Sequence, residues 1–247
     1  MKDQYRQISE SFRDARQAPA TTFLEAPSFI RAVGDVSNTS VIDFACGEGY
    51  YTRLLKKLGA APVLGVDLSP RMIELAREQE RGDPLGVEYV VGDASRTGAL
   101  GALGSFDLAT AVFLFNYAET LETLNAMIET VAANVKRNGR LVSVVPNPDF
   151  VNGRRDTLHY GYYLEEIGRA ASCPRSRMTF TGEAPFSIEF MQWDREIYEA
   201  ALARAGFRDI LWTPFTVTEE GVQKLGADFW SATLENPKSI LLSARKA

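Results

Sequence analysis

From Ser40 onward, short apolar runs alternate with longer stretches whose apolar residues recur every three or four positions. These are the two periods that separate buried strands from amphipathic helices. The runs predict strands at 40–45, 62–66, 87–91, 106–112 and 140–145. Helices are predicted between them at 49–58, 70–80 and 119–135, with a glycine-containing loop near 98–104. Helix 70–80 opens with Ser69 at its N-cap and Pro70 in its first turn, where a missing N–H costs nothing. Leu121, Leu124, Ile128, Val131 and Val135 line one face of helix 119–135, and Asn138-Gly139 then turns the chain into strand 140–145. Strands alternating with helices predict a parallel sheet covered on both faces.

The two flanks read differently. Residues 3–16 and 21–33 predict cap helices within an N-terminal segment, 1–36, punctuated by Pro19 and Pro27. Between residues 146 and 192 the periodicity weakens. Gly153, Gly161, Gly168 and Gly182 enter there, together with the aromatic residues Phe150, Tyr160, Tyr162, Tyr163, Phe180, Phe186 and Phe190. An insertion of that length is functional or carries a small structure of its own. A helix at 194–205 resumes the pattern, with Asp194 at the N-cap position and Gly206 at its end. A strand at 207–213, a helix near 218–234 and a strand at 239–245 complete seven strands in one domain, 1–247, with no internal repeat or linker.

Composition narrows the function classes. Hydrophobic residues make up 45% and charged residues 24% of 247, as in an ordinary water-soluble domain. No apolar run approaches the roughly 20 residues of a membrane span, and the polar N-terminus lacks a signal peptide, so a cytoplasmic protein without membrane attachment is expected. Cys46 and Cys173 are far apart, which fits free thiols in a reducing compartment. The single histidine, His159, excludes a multi-histidine zinc centre, and no metal is expected. With 27 basic against 32 acidic residues, a net charge of −5 argues against an extended nucleic-acid surface. A monomer and a homodimer both fit.

The strongest chemical signal is Val41-Ile-Asp-Phe-Ala-Cys-Gly-Glu-Gly-Tyr-Tyr51, an apolar strand joined through a glycine turn to a helix. Gly47 and Gly49 let the backbone turn sharply and approach a ligand, while the following helix presents unpaired N–H groups. After the second strand, Asp67 places a carboxylate where ribose hydroxyls can be held. Thr52 stands where a dinucleotide fingerprint needs its third glycine, which disfavours NAD and FAD.

The run Asp43-x-Ala45-x-Gly47-x-Gly49 resembles the first motif of class I S-adenosylmethionine (SAM) dependent methyltransferases, with Ala45 at the usual place of its first glycine. Gly65-Val-Asp67-Leu-Ser-Pro-Arg-Met72 resembles the family's ribose-binding segment and Val91-Gly-Asp93-Ala94 its adenine-binding segment. The resemblance implies an α/β, Rossmann-like, doubly wound seven-stranded sheet, mostly parallel with an antiparallel C-terminal strand. To it are added N-terminal lid helices and an insertion after strand 5. It further implies that Asp43 helps hold the methionine ammonium through the turn, that Gly47 and Gly49 line the methionine, and that Asp67 binds the ribose. Asp93 would accept the adenine amino group. Leu68 and Met72 would supply apolar contact, with Ala45, Ala94 and Phe113 also beside the cofactor. Tyr5 and Phe12 would belong to the lid, and Arg16 or Tyr5 would meet the cofactor carboxylate. SAM is then the cofactor and S-adenosylhomocysteine the product.

Methyl transfer from a sulfonium is a direct displacement, so the protein chiefly aligns the reactants and excludes water. His159 is the candidate base where the acceptor must lose a proton. Asn116, Tyr117, Tyr160 and Tyr162 are the candidate acceptor contacts, in a pocket suited to a planar molecule; alternatively the aromatic residues form a second small core. Leu114-Phe-Asn-Tyr-Ala118, Pro148-Asp-Phe150, Trp193 leading into Tyr198, and Ala205-Gly-Phe207 resemble bacterial small-molecule methyltransferases close to the toxoflavin-pathway N-methyltransferase. That implies a small, heteroaromatic methyl acceptor in bacterial secondary metabolism, with nitrogen favoured over oxygen. Methylation of a protein or RNA, and SAM binding without transfer, are the competing readings.

Overall fold

A computed structural model describes residues 18–96, 103–151, 157–170, 173–181 and 185–247. The expected helix 3–16, with Tyr5, Phe12 and Arg16, and most of the loop 98–104 lie outside the described residues.

Seven strands form the main sheet: β1 (Val41–Phe44), β2 (Val63–Asp67), β3 (Glu88–Val91), β4 (Phe106–Val112), β5 (Val135–Pro146), and, after the insertion strands β6 to β8, β9 (Phe207–Thr213) and β10 (Ser239–Lys246). Their order is β3-β2-β1-β4-β5-β10-β9. β10 runs antiparallel to both its neighbours and the remaining pairings are parallel. The strand order reverses between β1 and β4, the switch point at whose carboxyl edge open α/β sheets bind ligands.

Helices cover both faces, as alternating side chains on the strands require. Ile42, Phe44, Ala109 and Ala111 pack with Leu124, Ile128 and Val131 of α4 (Leu121–Ala133) and with Tyr198 and Leu202 of α5 (Arg195–Arg204). On the opposite face Val41, Val63, Leu108 and Val142 meet Phe29 and Val33 of α1 (Ala26–Val33). Leu55 of α2 (Tyr50–Lys57) and Ile73 of α3 (Pro70–Gly82) join that face. A π-helical turn, Thr21–Glu25, leads directly into α1. No helix among the described residues is long and apolar enough to cross a membrane.

Four local expectations are refined. Asn138 and Gly139 lie inside β5 as an irregularity: Phe106 pairs with Val135 but Leu108 already pairs with Arg140, and Asn138 takes φ 61° to absorb the extra residues. The helix near 218–234 is two helices, α6 (Glu219–Leu225) and α7 (Ala227–Glu235), because Gly226 at φ 81° and ψ 156° breaks the backbone between them. Asp194 occupies the N-cap of α5 without a side-chain capping bond; its carbonyl accepts from the Tyr198 amide at 3.2 Å. The insertion after β5 forms an antiparallel sheet of β6 (Tyr162–Ala170), β7 (Cys173–Phe180) and β8 (Phe186–Met191). Phe150, Tyr160, Tyr162 and Phe190 join Leu164, Met178 and Ile188 in its own core, against which Tyr117 and Phe229 pack. These aromatic residues of the insertion thus form a second small core. Arg175 and Arg177 are engaged across strands with Glu189 at 2.8 and 2.7 Å.

Candidate active site

The glycine turn at the end of β1 is left-handed at three positions, with φ 56° at Ala45, 58° at Gly47 and 93° at Gly49. The residue that stands for a glycine therefore adopts glycine's backbone, which costs an L-residue about 1–2 kcal/mol. Gly49 is the N-cap of α2 and has no side chain to close the helix mouth, so the first amides of α2 face outward. A Cβ on Gly49 would stand 2.4 Å from the Tyr89 hydroxyl, and one on Gly65 2.7 Å from the Tyr89 ring. Tyr89, buried on β3, thus fills the space beneath the turn that two glycines vacate.

Asp43 and Asp67 act on this turn from two sides. Asp43 is 1% exposed, and its carboxylate accepts from the hydroxyls of Thr52 and Thr110, each at 2.6 Å. It therefore ties β1 to β4 and to the first turn of α2; Thr52, which replaces the dinucleotide glycine, is the partner that this tie needs. Asp67, half-buried at the tip of β2, accepts from the Gly47 amide and the Ser69 amide, both at 2.8 Å. These two bonds orient the Asp67 carboxylate at the strand tip.

The third segment lies on the next strand. The Gly92 amide donates to the Asp67 carbonyl at 2.8 Å, bringing Asp93 beside β2. Asp93 Oδ1 accepts from the amide and hydroxyl of Ser95 at 2.9 and 2.6 Å, and Ala94 is buried behind it. Leu68 is half-buried, while Met72 is buried on the first turn of α3, where its amide meets the Ser69 hydroxyl.

Phe113 follows β4 with φ 57° and is half-buried. A short 3₁₀ turn, Phe115–Tyr117, then carries Asn116, which is 2% exposed and whose Oδ1 has no hydrogen-bond partner among the described residues. A buried amide oxygen left unpaired costs about 1–3 kcal/mol, which a donor on a ligand would recover. His159 sits elsewhere, exposed on the short turn Leu158–Tyr160. Its Nε2 lies 3.2 Å from the Phe229 carbonyl and its ring 3.8 Å from that of Tyr160. Since a carbonyl only accepts, Nε2 carries the proton in that bond. Among the described residues no group of three or more His, Cys, Asp or Glu is placed to hold a metal ion.

The glycine cradle, the oriented Asp67 and the Asp93 turn line the carboxyl ends of β1, β2 and β3, in the part of the chain that a known family covers. Residues 41–139 match a methyltransferase domain. The match takes in the turn, both carboxylate segments and Phe113 to Tyr117, and ends before the insertion. Curated relatives include the ribosomal protein L11 methyltransferase of Burkholderia lata, 35% identical over 102 residues that make up 41% of this chain and 30% of the relative. The chain thus matches less than a third of that relative's length. Among solved structures, a SAM-dependent methyltransferase from Mesorhizobium loti is 22% identical, with a TM-score of 0.66 over 94% of this chain and 100% of that one. A SAM-bound amino pentose methyltransferase from Micromonospora echinaspora, involved in calicheamicin biosynthesis, is 20% identical with a TM-score of 0.60 over the whole of both chains. At that identity the likeness is one of fold. The family model thus shows a methyltransferase domain over residues 41–139, and the solved structures show the fold around it.

Two residues that shape the turn were not singled out in the sequence: Thr110 and Tyr89. Thr110 had a visible signal, a lone hydroxyl within the apolar run Leu108-Ala-Thr-Ala-Val112.

Proposed function

We propose that this protein is a SAM-dependent methyltransferase acting on a nitrogen, or secondarily an oxygen, of a small, planar, heteroaromatic metabolite in bacterial secondary metabolism. The observation that carries the cofactor part is the Gly47–Asp67 bond, which joins the two segments that would hold methionine and ribose. Asp67 would hold the ribose hydroxyls, Asp93 the adenine amino group, and the left-handed turn at Ala45, Gly47 and Gly49 the methionine portion. Leu68, Met72, Ala94 and Phe113 would supply apolar contact. When bound, SAM supplies a methyl group on a sulfonium, which a nucleophile displaces directly.

The chain's own contribution is alignment and exclusion of water. Asn116 would accept a hydrogen bond from an N–H of the acceptor and so turn its lone pair toward the methyl group. Tyr160 and Tyr162 of the insertion core, with Tyr117 packed against it, would form an aromatic wall beside that position. His159, whose ring lies against Tyr160 and whose Nε2 donates to the Phe229 carbonyl of α7, would be the base where the acceptor must lose a proton. The test is incubation with methyl-labelled SAM and a panel of heteroaromatic amines and phenols. Label in a small molecule supports the reading, and no transfer despite SAM binding counts against it.

The relatives favour a second reading, methylation of a ribosomal protein, through 35% identity over the shared 102 residues. Label entering protein in a ribosome-containing extract would select it over the first.

A further inference from the structure

β10 runs antiparallel to β5, so the residue that precedes it, Lys238, stands at the carboxyl edge of the sheet, where its carbonyl accepts from the Asn147 amide at 2.9 Å. The Lys238 ammonium lies 5.6 Å from the centre of the Phe113 ring and 5.5 Å from that of Tyr162. It thereby joins the residue that follows β4 to the first residue of the insertion sheet. Strands are spaced about 4.8 Å apart, and β10 is four places from β2. Lys238 therefore lies on the acceptor side of the edge, roughly 19 Å of sheet away from the ribose carboxylate Asp67.

The ammonium has three donors to place. Among the described residues it has no hydrogen bond and no carboxylate within 4 Å. The nearest acidic influence is Glu25, whose Oε1 accepts from the Tyr51 hydroxyl at 2.6 Å. Two aromatic faces favour a cation but accept no hydrogen bond in the ordinary sense. Burial works the other way and pushes Lys238 below the usual lysine range, with Glu25 opposing. Lys238 also lines a cavity of about 40 Å³ with Leu24, Glu25, Tyr162 and Phe215. At about 10–15 Å³ per water, that space takes a few waters or one small anionic group, and not a whole acceptor.

We propose that Lys238 is the anion-recognition point of the acceptor site and takes a carboxylate carried by the planar methyl acceptor. This rests on the methyltransferase reading above. The acceptor's reacting atom would face the carboxyl ends of β1 and β4, and its carboxylate would sit in the Lys238 cavity, giving the half-buried cation the partner that it lacks.

Calorimetric titration of the full chain, saturated with S-adenosylhomocysteine, with benzoate and with its neutral isostere benzamide tests this. Benzoate should bind at least tenfold tighter than benzamide. K238M and K238Q should abolish that preference, K238R should keep it, and all three should bind S-adenosylhomocysteine within twofold of the parent protein. Equal binding of benzoate and benzamide to the parent protein, or a preference that survives in both neutral variants, overturns the proposal. So does a tenfold loss of S-adenosylhomocysteine affinity with the benzoate preference intact, which would give the lysine to the cofactor. Failure of S-adenosylhomocysteine to bind the parent protein would bring down the methyltransferase reading itself, and the acceptor assignment with it.

Discussion

The backbone amide of Gly47 donates to Asp67 Oδ2 at 2.8 Å, so the carboxylate at the tip of β2 props the glycine turn at the end of β1. The same group is proposed to hold the cofactor ribose, which couples the shape of the turn to the ligand. Asp67→Asn keeps the size of the side chain and removes its charge. Hydrogen bonds to charged groups contribute about 1.5–3 kcal/mol, so SAM affinity should fall about tenfold or more. Calorimetry reads this directly, and an unchanged dissociation constant would remove Asp67 from the site.

Ala45 holds φ 56° within that turn. Replacing it with glycine relieves left-handed strain, partly offset by the greater chain entropy of glycine in the unfolded state. Ala45→Gly should raise stability by up to about 1 kcal/mol, measured by urea unfolding. A loss of stability would show that the alanine methyl packs usefully where it stands.

Much of this was legible beforehand because its signals are local. Strand positions β1 to β5 followed from apolar runs, α3 from Ser69 and Pro70, and the turn from its glycines. The break at Gly226 was missed because the apolar pattern continues across it and only the backbone angle of one residue records the change. The insertion sheet was read as weakly periodic because β6 and β7 meet with a register shift between Glu166 and Gly168, which disrupts strict alternation. Lys238 could not be found from its neighbours in sequence, since Phe113 and Tyr162 reach it only through the antiparallel placement of β10.

Gly49 and Tyr89 form a steric pair. Gly49→Ala should destabilise the protein, because the new Cβ meets the Tyr89 hydroxyl at 2.4 Å and the backbone sits at φ 93°. The Tyr89 hydroxyl is buried without a hydrogen-bond partner among the described residues, and burial raises its pKa. Tyr89→Phe should therefore be neutral or stabilising, by up to about 1–3 kcal/mol of recovered desolvation. Combined with Gly49→Ala it should recover part of the loss. A double-mutant cycle by thermal unfolding measures the coupling, and strictly additive effects would contradict the contact.

Glu80 clasps the end of α3. Its Oε1 accepts from the amides of Leu85, Gly86 and Val87 at 2.7, 2.7 and 3.2 Å, and Arg53 pairs with Oε2 at 2.5 Å. Burial alone would raise its pKa, but the three amides and Arg53 together hold it below the usual glutamate value. A depressed folded-state pKa contributes stability that is fully present above the unfolded value and is lost as pH falls through the folded value. Glu80→Gln should lower stability at pH 7 and flatten its decline on acidification below the ordinary glutamate range. Chemical denaturation between pH 7 and 3 checks both parts, and parallel curves for the two proteins would refute the clasp.

The central claim is the cofactor class, and calorimetric titration of the full chain with SAM and S-adenosylhomocysteine, with NAD as the control, tests it most directly. The account predicts saturable one-to-one binding of both sulfur compounds at micromolar concentration and no heat from NAD. Absence of binding by SAM and S-adenosylhomocysteine, or binding of NAD in their place, would contradict it and leave a Rossmann-like sheet whose glycine turn serves another ligand.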